Sequence, residues 1–367
     1  MPLPVWRVAV AGFDHMHAGD QIALALTHPR AELVGVWDPD PAKVEPVADD
    51  LGVDRTLRYA DLDALLAEAR PDIVIVCSTT RDHLSLVQRL AREDIHVVLE
   101  KPFAVSLEAA DAMITAVAEA PGERRVPTLS VNWPLAWYPP HRTTKRLIDE
   151  GLIGDVREVH YYNGNRGPLN HVHGKADVDQ LAAKNGSWWY SAEAGGGSLL
   201  DYLGYGTTLA TWYRDGVLPT AVTARAWGPP GLEVDEQSVV IARYATGLSV
   251  FQTKWGSFTD PWTIQGQPQH GFVVVGDRGT IMSLDYAAEV HVQTVDEPTP
   301  TAIAVDVLQP EDRSALAYLI SRLEQSLPIE GPTSWQISRG GQLIVDAARE
   351  SVRTGAEVAL TDGQVTP

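Results

Sequence analysis

Cysteine is almost absent from this chain: 367 residues hold a single thiol, Cys77. One cysteine excludes an internal disulfide, and its setting in the apolar run DIVIVCSTT suits packing better than reactivity. Basic residues are also short, 29 Lys and Arg against 48 Asp and Glu, which leaves a net charge of −19. Such a surface repels a phosphate backbone, so no nucleic-acid partner is expected. No apolar run reaches the roughly 20 residues of a membrane span, so no membrane partner is expected either. The opening MPLPVWRVAV passes directly into a strand pattern, without a basic region or a cleavage site, and a cytoplasmic location is expected. Internal repeats, low-complexity tracts and long linkers are missing too. What remains is ordinary for a globular chain, with 44% apolar and 21% charged residues, and long enough for a large core and two domains.

The first 130 residues alternate strand and helix. WRVAVAG, AELVGVWD, DIVIVCST and IHVVLEKP read as strands, and helical segments fall between them, one with Asp61 as a candidate cap. Continuously apolar strands alternating with helices predict a doubly wound parallel sheet. Ligands of such a sheet lie beyond the carboxyl ends of its strands, here Gly12, Asp38, Thr79–Thr80 and Lys101. After PGERRVPTL the pattern changes. VREVHYYNG, TAVTARAWG, QSVVIARYATG, LSVFQTKWG, HGFVVVGDRG and TIMSLDY alternate and close on turn residues, as antiparallel strands do. Helices are expected at HRTTKRLIDEG, at LLDYLGYGTTLATWYRDG and near 311–326 and 335–353. The expected class is α/β: residues 1–128 form a dinucleotide-binding domain, and residues 129–367 form an α+β domain on an open, mostly antiparallel sheet. One face of such a sheet needs a partner, and a homodimer or homotetramer through it is expected.

The loop after the first strand, GFDHMH, raises two readings. As a dinucleotide fingerprint it keeps Gly12 for the tight turn, but Asp14 and His17 replace the other two glycines. As a His-x-His pair, His15 and His17 suggest a metal hydrolase, yet no later series of strand-end His and Asp ligands completes one. Asp14 would lie near a diphosphate; it either caps the next helix, or its charge is offset by a protonated His15. Asp38 ends the second strand 26 residues after Gly12. A carboxylate there accepts hydrogen bonds from the ribose hydroxyls of NAD and repels the extra phosphate of NADP. The alternative is that Asp38 only starts the DPDP turn. Phe13, Ser78, Thr79, Thr80, His83, Glu100 and Asn132 complete the candidate cofactor set, although His83 reads equally as a first-turn residue of a solvated helix.

The segment HVVLEKPFAVSLEAADAM, residues 96–113, resembles the Glu-Lys-Pro segment of the Gfo/Idh/MocA family of NAD(P)-dependent oxidoreductases. The likeness continues through LIDEGLIGDVREVHYY, AGGGSLLDYLGYG and GGQLIVDAARESVRTGAEVAL, and so covers nearly the whole chain. It implies an N-terminal Rossmann domain, a C-terminal α/β domain whose open sheet makes oligomer contacts, and chemistry on sugars or cyclitols. It implies that Lys101 sits at the nicotinamide and the reacting hydroxyl, and that Asp201 binds substrate or orients a base. Four residues after that aspartate the family commonly has a catalytic histidine; this chain has Tyr205.

Oxidising a secondary alcohol requires a hydride acceptor and a base. Residues four apart share a helix face, so Asp201 and Tyr205 are expected to point together. A free phenol, with a pKa of about 10, is a poor base near neutrality, and a neighbouring ammonium lowers it. The expected machinery is therefore Tyr205 as acid/base, Lys101 as its electrostatic partner and Asp201 holding substrate or Lys101. Lys101 acting alone, or Tyr205 as mere packing, are the alternatives. Trp133, Arg166, His173 and Trp188 are further candidate substrate contacts, with packing or a solvated loop as the competing reading of each. A second His-x-His, His171 and His173, precedes Asp177 and Asp179, but no fixed ligand spacing completes a metal site and none is expected.

The function expected is hydride transfer between NAD and a secondary hydroxyl of a sugar, sugar acid or cyclitol. Two alternatives stand beside it: a redox-neutral lyase or glycosidase that keeps its NAD, and a ligand-binding protein without catalysis.

Overall fold

A computed structural model of the chain describes residues 5–170 and 181–360. These divide into two compact units, 1–132 with 310–335 and 133–309 with 336–367.

The first unit is built on six strands, β1 (Trp6–Ala11), β2 (Ala31–Trp37), β3 (Arg58–Tyr59), β4 (Ile73–Val76), β5 (His96–Glu100) and β6 (Leu129–Asn132). Their order is β3-β2-β1-β4-β5-β6 and every pair is parallel. This is the doubly wound sheet expected from the sequence. Every residue of β4 and β5 is buried, which is why those strands read as unbroken apolar runs. Helices α1 (Ala18–Thr27), α2 (Pro41–Asp50), α3 (Leu62–Ala69), α4 (His83–Ala91) and α5 (Leu107–Ala118) fill the crossovers. Their starts are chemically marked: Asp40, Asp61 and Ser106 accept from free backbone N–H groups of α2, α3 and α5. The Cys77 thiol is buried, and burial together with Glu100 pushes its pKa well up, which suits a packing role. Two features were hidden from the strand–helix pattern. Leu129–Asn132 continues the first sheet as β6, and residues 310–335 return to this unit.

The second unit carries β7 (Val156–Asn165), β8 (Ala221–Trp227), β9 (Gln237–Tyr244), β10 (Gly247–Trp255), β11 (Gly271–Gly276), β12 (Gly279–Leu284), β13 (Glu289–Thr294), β14 (Thr301–Ala304) and β15 (Val358–Ala359). They form one sheet in the order β14-β13-β12-β11-β7-β10-β9-β8-β15, antiparallel except where β7 meets β10. The chain's remaining helices are α6 (Pro139–Asp149), α7 (Leu181–Asn185), α8 (Ser198–Tyr213), α9 (Ala315–Gln325, in the first unit) and α10 (Trp335–Thr354). Strand β9 alternates exposed and buried residues along its whole length, so one face of the sheet is packed and the other is wet. Helix α8 lies on the packed face, and its small residues set how closely. A Cβ on Gly206 would come within 2.4 Å of the Tyr161 ring, and one on Gly341 of α10 within 2.2 Å of Thr208 Oγ1.

His96, at the start of β5, is buried with its ring edge-on to Trp6. Burial, assisted by the Arg125 charge, pushes its pKa down to about 4. The unfolded chain binds this proton at ordinary pH, near 6.5, so between about pH 6.5 and 4 it holds more protons than the folded one. The contribution of the neutral ring is complete above pH 6.5 and is lost as pH falls through 4; it is worth about 3 kcal/mol. Urea denaturation at a series of pH values should give a shallower acid-side loss of stability for His96→Leu than for the parent. Equal slopes would show that His96 does not carry this dependence.

Candidate active site

The carboxyl ends of the first unit's strands bring the expected cofactor residues to one sheet edge. Ala11 stands opposite Trp37 and Val76, Val76 opposite Leu99, and Glu100 opposite Asn132. Gly12 follows β1 with φ +87°, and a Cβ there would lie 2.6 Å from Ser78 N. Only glycine lets the loops after β1 and β4 touch in this way. Asp38 is buried. Its Oδ2 accepts from Phe13 N at 2.8 Å and its Oδ1 from Asp40 N at 2.9 Å. The carboxylate thus ties the first loop to the second and also makes the turn that the sequence offered as its alternative role.

Two expectations about Asp14 are revised. Helix α1 begins at Ala18 with His17 at its N-cap, so Asp14 lies too early to cap it. Its charge is met by Lys43, whose Nζ lies 2.7 Å from Asp14 Oδ1 and 3.9 Å from Asp38 Oδ1. His15 does not supply that positive charge: burial, then Lys101, hold its pKa well below the usual range, and the ring is neutral.

Glu100 ends β5 fully buried. Its Oε1 accepts from Gln21 Nε2 at 2.7 Å and from Asn132 Nδ2 at 2.6 Å, and His17 Nδ1 lies 3.1 Å from Oε2. Burial alone would raise its pKa, but His17, Asn132 and Lys101 more than offset this and hold it below the ordinary value. Lys101, which follows immediately, is buried as well. Ser78, Thr79 and Thr80 are buried beyond β4, with Thr79 Oγ1 donating to Asp82 Oδ2 at 2.6 Å. His83 is not on a solvated turn. It is buried at the start of α4 with Nδ1 3.2 Å from Phe103 O, and burial lowers its pKa.

In the second unit Asp201 and Tyr205 sit one turn apart on α8, both buried. Asp201 Oδ2 accepts from Trp255 Nε1 at 3.0 Å. The Tyr205 ring stands edge-on to Trp133 with centroids 5.5 Å apart, and lies 5.7 Å from the Tyr202 ring. Trp133 packs beneath α8. Its Nε1 donates to Ser338 Oγ at 3.0 Å, and a Cβ on Gly204 would meet its ring at 2.4 Å. Trp188 stacks on Trp189 at 3.8 Å, and Arg166 N donates to Asp260 Oδ1 at 3.0 Å. His171, His173, Asp177 and Asp179 lie outside the described residues.

Sequence reasoning missed several partners. Trp255 holds Asp201 from β10, across 54 residues. A buried group also escaped notice, in which His141 bridges Ser283 Oγ at 2.9 Å and Asp285 Oδ1 at 2.8 Å. Burial, with Asp201 next, pushes the Tyr202 phenol well up. Of these, only Tyr202 had a sequence signal, its place beside Asp201.

Two models of one family match the chain: the oxidoreductase family's NAD-binding Rossmann fold over residues 6–125, and the GFO/IDH/MocA C-terminal domain over 141–282. D-apiose dehydrogenase of Rhizobium rhizogenes is 32% identical over 34% of this chain and 34% of its own length. Inositol 2-dehydrogenase of Rhizobium meliloti is 32% identical over 35% of this chain and 36% of its own. These matches thus span about a third of each curated relative. In fold, the chain superimposes on aldose-aldose oxidoreductase from Caulobacter crescentus with a TM-score of 0.76, at 21% identity, over 97% of this chain and 100% of that one. Among the described residues no helix is long and apolar enough to cross a membrane. With both halves matched, over more than two thirds of its length, the chain belongs to the Gfo/Idh/MocA oxidoreductase family and carries that family's NAD-binding Rossmann fold.

Proposed function

We propose that the protein transfers a hydride between NAD and a secondary hydroxyl of a sugar, sugar acid or cyclitol, and that Tyr205 replaces the usual histidine as acid/base. The observation that carries this reading is Lys101. A buried lysine directly follows the fully buried Glu100 at the end of β5, on the same sheet edge as Gly12 and Asp38.

The residues fit the cofactor. Gly12 opens the loop at a point where any side chain would strike Ser78. Asp38, Asp14 and Asp40 gather at the ends of β1 and β2, with Lys43 paired to Asp14 and Asp38, a balance that favours a ribose hydroxyl over a 2′-phosphate. Phe13, Ser78, Thr79, Thr80 and Asn132 complete the cradle. Bound there, NAD supplies the hydride acceptor. The chain supplies the rest: Asp201, oriented by Trp255, holds substrate hydroxyls, the Lys101 ammonium favours a phenolate, and Tyr205 Oη takes the hydroxyl proton. Supporting the substrate class are the relatives that act on D-apiose and on inositol.

The test is a dehydrogenase screen with NAD over sugars, sugar acids and inositols. Lys101→Ala should abolish NADH formation while leaving NAD titration unchanged. Tyr205→Phe should lower kcat by about 10²–10⁴-fold; near-normal turnover would assign the ring to packing. Product formed with bound NAD and no net NADH would identify the redox-neutral reaction instead. Failure to bind NAD or NADP at millimolar concentration would overturn the enzyme reading and leave a ligand-binding protein.

We infer also that the wet face of the nine-stranded sheet pairs with a second copy. Trp227, Val239, Ile241 and Leu248 are exposed there, and a flat apolar patch of this kind suits a two-fold, self-complementary contact. Light scattering on the eluting protein should show a dimer or tetramer that Ile241→Glu converts to a smaller species; an unchanged mass would place the contact elsewhere.

A further inference from the structure

Hydride transfer makes no use of the His-x-His at residues 15–17. Both rings nevertheless turn toward Glu100. His15 and Glu100 are buried and His17 is partly so, and one ligand atom from each of the three lies within 4.8 Å of the others. We propose that His15, His17 and Glu100 form a binding site for a divalent transition-metal ion of the zinc class.

The donor set selects the ion. Two imidazole nitrogens and one carboxylate oxygen suit Zn²⁺ and its neighbours, whereas Mg²⁺ and Ca²⁺ prefer all-oxygen shells. Three protein ligands leave a fourth, tetrahedral position for water.

The surroundings have the form of a metal site's outer shell. Gln21 and Asn132 both donate to Glu100 Oε1, which fixes the carboxylate and directs Oε2 toward His17. The neutral imidazole is the form that ligates. Coordination through Nε2 moves the ring proton of His15 to Nδ1. It gives up a long contact, 3.3 Å, from the His17 backbone N–H. His17 now shares a proton with Glu100 Oε2 across 3.1 Å. Coordination at Nδ1 moves that ring proton to His17 Nε2, and the ion takes its place against Glu100 Oε2. The cost is the Lys101 ammonium nearby, which repels a dication. The expected affinity is therefore about micromolar, well short of a structural zinc site.

The test uses the full-length protein, stripped with a chelator and titrated with Zn²⁺ against a chromophoric competitor. One Zn²⁺ per chain should bind, and Co²⁺ at the same site should show the visible bands of tetrahedral coordination. His15→Ala, His17→Ala and Glu100→Gln should each weaken Zn²⁺ at least about tenfold. The double variant His171→Ala/His173→Ala, which removes the other His-x-His, should keep the full affinity. Circular dichroism of each metal-free variant reports folding independently of zinc and of NAD. A His17→Ala protein that keeps the parent's circular dichroism spectrum but has lost Zn²⁺ establishes the site. The proposal is overturned if the parent binds no stoichiometric Zn²⁺ at about 100 μM, a hundredfold above the expected Kd. It is equally overturned if the His171/His173 pair, and not His15 and His17, governs the binding.

Discussion

A carboxylate fully removed from water organises the first unit. Glu100 carries its charge at the end of a strand whose every residue is buried. An ion in that position costs several kcal/mol unless its lone pairs are met. Gln21 and His17 meet them from the start of α1, and Asn132 from the end of β6. The same contacts therefore fix where α1 begins, how far β6 runs and how β5 ends. They also fix Lys101, because the backbone of a residue next to a clamped neighbour has little freedom. In this Glu-Lys-Pro segment the acid anchors the backbone of the lysine that follows it.

The second unit answers the same problem, placing polar groups in a dry interior, with close packing. Helix α8 presents glycines where aromatic rings press on it: Trp133 at Gly204 and Tyr161 at Gly206. The intimacy of that contact brings Tyr205 against Trp133 and lets Trp255 reach Asp201 with its single N–H. Indole can only donate, so it leaves the aspartate an acceptor and fixes the orientation of one oxygen. Here the positions of Asp201 and Tyr205 follow from what α8 lacks, since a Cβ at 204 or 206 would lift the helix off its support.

The sheet architecture was legible because its signal is repeated. Apolar strands separated by helices state a parallel sheet several times over, and Asp61 marked its helix start correctly. β6 and β13–β15 were not legible: β6, β14 and β15 are short, and β6 and β15 take their hydrogen bonds from strands far along the chain, while β13 is a six-residue strand between β12 and β14. Strand ends likewise announced Gly12, Asp38 and Lys101, because a doubly wound fold dictates where such residues must lie. Pairings across long separations left no trace in the chain. Nothing near Asp14 points to Lys43, and nothing near Asp201 points to Trp255. His83 misled for a related reason. The polar residues before it, Arg81 and Asp82, suggested a wet helix start, while the tertiary fold buried the ring against Phe103.

The loss of two fingerprint glycines then has a physical explanation. In the usual loop the second and third glycines admit a diphosphate and a closely packed helix. Here the helix start carries His17, which is committed to Glu100, and the loop carries Asp14, which is committed to Lys43. Both replacements are polar groups with partners of opposite or complementary character, so neither leaves an uncompensated charge in the loop. Only Gly12 had no alternative, because its neighbour is backbone: a side chain on any other residue can rotate away from an obstruction, but Ser78 N cannot. A loop that keeps the one steric requirement and replaces the other two with paired charges is an altered dinucleotide loop, not a decayed one.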